Sequence, residues 1–252
     1  MSWQTMLLLA VGLAVVITVA FADPVAQDPL YHQFIDQRSF VGVPNFLNVV
    51  SNLPFLCVAA WGLVFVARHG DAVVPGMKIA WMVFFTGIAL TTFGSGYYHL
   101  RPGNESLVLD RLPMTIGFMS LVAIIVAEYG SERVGKAILL PLLLTGFASV
   151  MYWSYTESLG VGDLRPYAIV QFLPILLVPI TLLIFPSRSD LGRYIWLMIG
   201  FYLAAKLFEL FDDDIYAAGE LVSGHSIKHV VASLAPASLL YGIAQRLRGG
   251  HG

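Results

Sequence analysis

The chain has 252 residues, of which 58% are apolar (AVILMFWYC) and only 12% are charged. That charged share is about half of the roughly 25% usual in soluble domains, which argues against a water-soluble fold. A net charge of −2, from 14 Lys and Arg against 16 Asp and Glu with no basic cluster, argues against nucleic-acid binding, and the single cysteine, Cys57, can neither close an intrachain disulfide nor build a cysteine-rich metal site.

Apolar segments near the roughly 20 residues needed to cross a hydrocarbon core recur along the whole chain. In order they are Thr5 to Phe21, Asn45 to Ala67, Lys78 to His99, Leu107 to Ala127, Ala137 to Trp153, Pro166 to Phe185, Gly192 to Phe211 and Gly224 to Ala244. In the first, Ala20-Phe21-Ala22 has the small-x-small pattern of a signal-peptidase site, yet no Lys or Arg precedes the segment. A retained anchor and a cleaved signal therefore both stay open. The expected fold is an all-α membrane protein. Residues 1–22 form the anchor or signal, 23–44 an outer polar segment, and 45–246 a seven-transmembrane-helix catalytic domain.

Lys and Arg in short loops predict the orientation of such a multi-pass protein. With an inner start, Arg68, Lys78, Arg133, Lys136, Arg188, Arg193, Arg246 and Arg248 fall inside, against Arg38, Arg101, Arg111 and Arg165 outside. This bias predicts a cytoplasmic C-terminus.

Polar groups inside spanning segments are costly and mark functional sites by default. Ser95 and His99 stand four residues apart at the end of the third segment, and His225 and His229 repeat the spacing at the start of the eighth. Each pair projects from one helix face. Asp110 lies near the start of the fourth segment, a short loop beyond His99. Tracing the chain up and down brings all five to one outer layer. Three neutral imidazoles leave an open tetrahedral position, the arrangement of a catalytic rather than a structural zinc site. Asp110 can orient water or take its proton, and Ser95 can donate to a developing oxyanion, parts that suit acyl-bond hydrolysis. The plainer readings are a surface ion pair of Asp110 with Arg111 and a small packing residue at Ser95. His32, His69 and His251 fall in polar loops or the tail, outside the metal set. The stretch Glu209 to Asp214 reads as a solvated helix end or as a partner for a cation or Arg165.

At these residues the sequence resembles the alkaline ceramidase family, through Ser95-Gly-Tyr-Tyr-His99, Asp110-Arg-Leu-Pro-Met114, His225-Ser-Ile-Lys-His229 and, upstream, Asn45-Phe-Leu-Asn48-Val-Val-Ser51-Asn52. The resemblance runs from about Asn45 to the C-terminus. It implies seven spanning helices, zinc on His99, His225 and His229, assistance from Asp110 and Ser95, and cleavage of a ceramide-like lipid to a fatty acid and a sphingoid base. Adiponectin receptors and hemolysin III-like proteins share the histidine, serine and aspartate skeleton more distantly, so a receptor with a structural or weakly hydrolytic zinc is the alternative. The family's calcium site has a glutamate where Asn45 stands here. Asp36 is the nearest acid left, so Ca2+ of the family type is not expected.

Overall fold

The structure, a computed structural model, describes residues 2–186 and 190–249. The elements are α1 (Trp3–Phe21), a 3-10 turn (Pro29–His32), α2 (Phe46–Val50), α3 (Leu53–Val73), α4 (Lys78–Leu100), α5 (Asn104–Tyr129), α6 (Glu132–Ser158), α7 (Arg165–Ile184), α8 (Gly192–Leu210), α9 (Asp212–Ala217) and α10 (Gly224–Gly249). Among the described residues, seven helical stretches are long and apolar enough to cross a membrane: α1, α2 with α3, α4, α5, α6, α7 and α10. The remaining long helix, α8, has 19 residues and reaches about 28 Å. Arg193, Lys206 and Glu209 all fall within that short span. The fold is thus an all-α membrane protein in which a seven-helix core follows one additional N-terminal apolar helix. Arg188 from the charge count, and His251, lie outside the described residues.

Helix ends overrun the apolar segments, because the backbone goes on bonding itself where the chain turns polar. α3 continues to Val73 and carries Arg68 and His69 in its last turns, where a loop is expected from sequence. The segment from Asn45 is also interrupted. α2 stops at Val50 and α3 resumes at Leu53, with Pro54 in its first turn. Proline has no N–H to give the carbonyl four residues back, so the helix breaks at Ser51 and Asn52.

α4 packs along α5 and α3, α10 along α8 and α3, and α5 against α6 and α7. α7 and α8 meet only loosely, which leaves room between them for a cavity. α1 lies against α7 and buries no residue of its own. Arg165 ties its end down by donating to the carbonyls of Ala20 and Ala22. The end of the bundle away from the histidines holds the main hydrophobic cluster, including Trp81, Phe85, Ile124, Ile195, Leu239 and Ile243.

Candidate metal centre

Two close helix approaches set the depth of the site. Pro113 in α5 cannot bond the Leu109 carbonyl, and that carbonyl lies against Gly94 of α4, where any Cβ would strike it. This contact places Ser95 beside Asp110, and the two line the same cavity. Gly224, opening α10, faces the Phe208 carbonyl and Asp212 with equally little space for a side chain. The Asp212 carboxylate then accepts the His225 backbone N–H at 2.7 Å, capping α10 where its first N–H groups have no helical partner.

His99 on α4 and His225 and His229 on α10 converge from these two helices. Each offers a ring nitrogen within 4.8 Å of the others, and the rings stand 4.8 to 5.0 Å apart, centre to centre. All three are buried, His99 to 1% exposure. His99 Nε2 and His225 Nε2 are 3.4 Å apart. Two nitrogens at about 2.1 Å from a tetrahedral ion stand about 3.4 Å apart, so the spacing fits a shared metal.

The hydrogen bonds around His229 fit that role too. The Ser51 hydroxyl donates to the Asn48 carbonyl at 3.2 Å and turns a lone pair to His229 Nδ1 at 2.8 Å. With the Ser51 proton on Asn48, Nδ1 is the donor to Ser51 and Nε2 is left as a ligand, the usual way an outer partner orients a metal-binding imidazole. Asn48 in turn accepts from Ser226 Oγ at 2.7 Å and donates to the Asp36 carbonyl at 3.3 Å. His99 Nδ1 is buried without a partner. Phe34 closes the centre from the segment between α1 and α2, its ring 4.6 Å from that of His99 and 5.3 Å from that of His225.

The centre opens on a cavity of about 550 Å³, well within the range of ligand pockets. Ser95, Asp110 and His229 line one part, and its other walls are mainly aromatic and aliphatic side chains of α5, α7, α8 and α10. Lys206, Glu209 and Lys228 also face it. Glu209 accepts from both lysines, at 2.5 Å and 2.8 Å, and Lys228 Nζ reaches within 3.3 Å of His225 Nε2. Glu209 is therefore part of the cavity wall rather than of a solvated helix end.

The structure brings all five sequence-derived residues together: the three histidines, Ser95 and Asp110. It does not pair Asp110 with Arg111. Asp110 lies beside Ser95 in the cavity lining, while Arg111 Nη2 donates to Gln27 Oε1 at 2.6 Å. Asp36 is committed to Arg38, which reaches its two carboxylate oxygens at 2.8 Å each. Those hydrogen bonds hold the Asp36 carboxyl below its usual range. Arg165 is likewise paired with Asp163 rather than with the acidic stretch after α8. His32 sits in the 3-10 turn with both nitrogens engaged, by Tyr98 at 3.0 Å and Asn104 at 2.9 Å.

Sequence reasoning missed Ser51 as the partner of His229, and Glu209, Lys206 and Lys228 as cavity residues. Ser51 stood only in the quoted upstream motif and Glu209 only in the polar stretch ending α8, while Lys206 and Lys228 were polar residues in apolar helices. No protein-family model matches the chain, and no curated protein is significantly similar to it. The fold and the site define its class: a multi-helix membrane protein in which three buried histidines can hold a metal ion.

Proposed function

We propose that the protein is a zinc-dependent membrane amidase that hydrolyses the N-acyl amide bond of ceramide-like lipids, releasing a fatty acid and a sphingoid base. The observation that carries this reading is the joining of a three-histidine centre, an aspartate and a serine to a largely apolar cavity of about 550 Å³. Neutral imidazoles with an open position suit Zn2+ best among common ions, although other first-row divalent ions accept the same donors. The likeness to alkaline ceramidases at Ser95, His99, Asp110, His225 and His229 supports the choice of reaction.

A divalent ion bound there supplies Lewis acidity, polarising a carbonyl and making water acidic enough to ionise near neutral pH. The protein's own groups do the rest. Asp110 accepts the proton that water loses as its oxygen bonds to the acyl carbon, then returns it to the amide nitrogen as the C–N bond breaks. Ser95 donates its hydroxyl to the oxygen that gains negative charge. Lys228, held by Glu209, adds positive charge on the same wall. The apolar walls take the acyl chain and keep bulk water out.

The test is metal analysis of the purified protein with mass spectrometry of products from a mixed N-acyl lipid library. We expect about one zinc per chain, release of fatty acid, and loss of both on His229→Ala. A metal-free preparation with undiminished amidase activity would overturn the proposal. Bound zinc with no lipid cleaved would instead favour the receptor-like alternative.

A further inference from the structure

We infer that the lipid taken by this cavity carries a carboxylate or phosphate on its headgroup, bound by Arg111. The inference rests on the amidase reading for the scissile bond, and on separate observations for the anion. Arg111 lies on α5, 7% exposed, and lines the cavity beside Gln27, Tyr31 and Tyr167. Its guanidinium stacks 4.2 Å over the Trp153 ring and 4.7 Å over that of Tyr167, with Tyr31 at 6.0 Å. Nη2 donates to Gln27 Oε1, and buried Nη1 meets no acceptor. Among the described residues, no carboxylate comes within 4.0 Å of it.

A guanidinium cannot shed its charge. At membrane depth an unpaired cation is heavily penalised, and aromatic faces and one amide oxygen offset that only in part. None of the other charged groups lining the cavity forms an ion pair with Arg111. Glu209 holds Lys206 and Lys228, Asp28 accepts the Leu30 N–H, and Asp110 lies beside Ser95 on the cavity wall. Among the described cations lining the cavity, Arg111 alone makes no ion pair.

The surroundings also hold Arg111 in place. Glu157 Oε1 accepts from the Gln27 backbone N–H at 2.6 Å and from Trp153 Nε1 at 3.1 Å, bracing two of the groups that grip the guanidinium. A planar fork fixed this way matches a two-oxygen acceptor, which a carboxylate or phosphate presents and a neutral sphingoid headgroup does not.

The experiment measures calorimetric binding of matched pairs to the full chain in detergent: N-oleoylglycine against N-oleoylglycinamide, and ceramide 1-phosphate against ceramide. Inorganic phosphate and acetate test for a free anion. Wild type should bind the charged member of at least one pair tenfold or more tightly. Arg111→Met should bring the ratio to about one, Arg111→Lys should keep part of it, and metal content equal to wild type checks that both variants fold. Equal affinities within both pairs for wild type would overturn the inference, as would an unchanged preference in both variants. Phosphate or acetate binding as tightly as the lipids would overturn the lipid assignment. Binding is read whether or not lipid is cleaved. A charge preference without hydrolysis therefore counts against the amidase reading alone, and hydrolysis without a charge preference counts against Arg111 alone.

Discussion

At the end of the bundle away from the histidines, Arg246 donates to Glu128 at 3.1 and 2.9 Å, to Asp190 at 3.2 Å and to the Val73 carbonyl at 2.9 Å. At the histidine end, His99 Nδ1, Arg111 Nη1, Asn52 Oδ1 and Thr92 Oγ1 are all buried without partners, against Trp81 Nε1 alone at the far end among the described residues. The same helices supply both regions. α4 offers Trp81 and Phe85 to the far cluster and Ser95 and His99 to the site, and α10 offers Leu239 and Ile243 to one and His225 and His229 to the other. Unsatisfied buried polar groups cost roughly 1–3 kcal/mol each, a burden that chain packing alone does not repay. The far end is organised for stability, with its main charges matched within the chain. The histidine end is organised for partners from outside it.

Asp110→Asn breaks that comparison most sharply. The amide keeps the shape but accepts a proton poorly, so hydrolysis should fall by about 10²–10⁴-fold, the usual worth of a positioned acid–base group. Zinc content should stay at the wild-type value, because Asp110 is not one of the three converging ligands. Loss of metal along with activity would make Asp110 part of the metal centre instead. Ser51→Ala has a smaller effect on a different quantity. It removes the acceptor that fixes the His229 tautomer, and should weaken zinc binding about 10–100-fold in a chelator competition. Saturating zinc should restore the hydrolysis rate.

Why the five central residues were legible in sequence, and their supports were not, follows from helix geometry. His99, Asp110 and His225 stand out as polar groups in apolar segments, and counting membrane crossings puts them at one end. Ser51 meets His229 across 178 positions of sequence, and only because the helix breaks before Pro54. Asp110 and Arg111 are neighbours in sequence and read as a pair, but adjacent helical residues point about 100° apart. One therefore faces Ser95, and the other faces Gln27 and Trp153. Glu209 reads as a helix end because its partner, Lys228, comes from α10, and the packing of α8 on α10 has no local signature. Helix number and type were readable because length and composition set them, whereas the turn at Ser51 and Asn52 depends on one proline within an apolar run.

Arg246→Met sharpens the comparison from the opposite end. Breaking a fully buried ion pair costs about 3–5 kcal/mol, chiefly because the surviving partner keeps an uncompensated charge. Exposed pairs are worth about 0–1 kcal/mol. With Arg246 at 18% and Glu128 at 15% side-chain exposure, the loss should fall between, at about 1–3 kcal/mol, measured as a lower thermal midpoint in detergent. Zinc content and the hydrolysis rate of the folded fraction should not change, since no residue of this network lines the cavity. Adding Glu128→Gln should recover part of the loss by removing the orphaned charge, although it deletes a second polar partner. Arg111 offers the reverse case: its counter-charge is supplied with the ligand, so Arg111→Met should change ligand preference more than stability. If Arg246→Met lowered the hydrolysis rate per folded molecule, the two ends would be coupled, and the division between a structural and a functional half would fail.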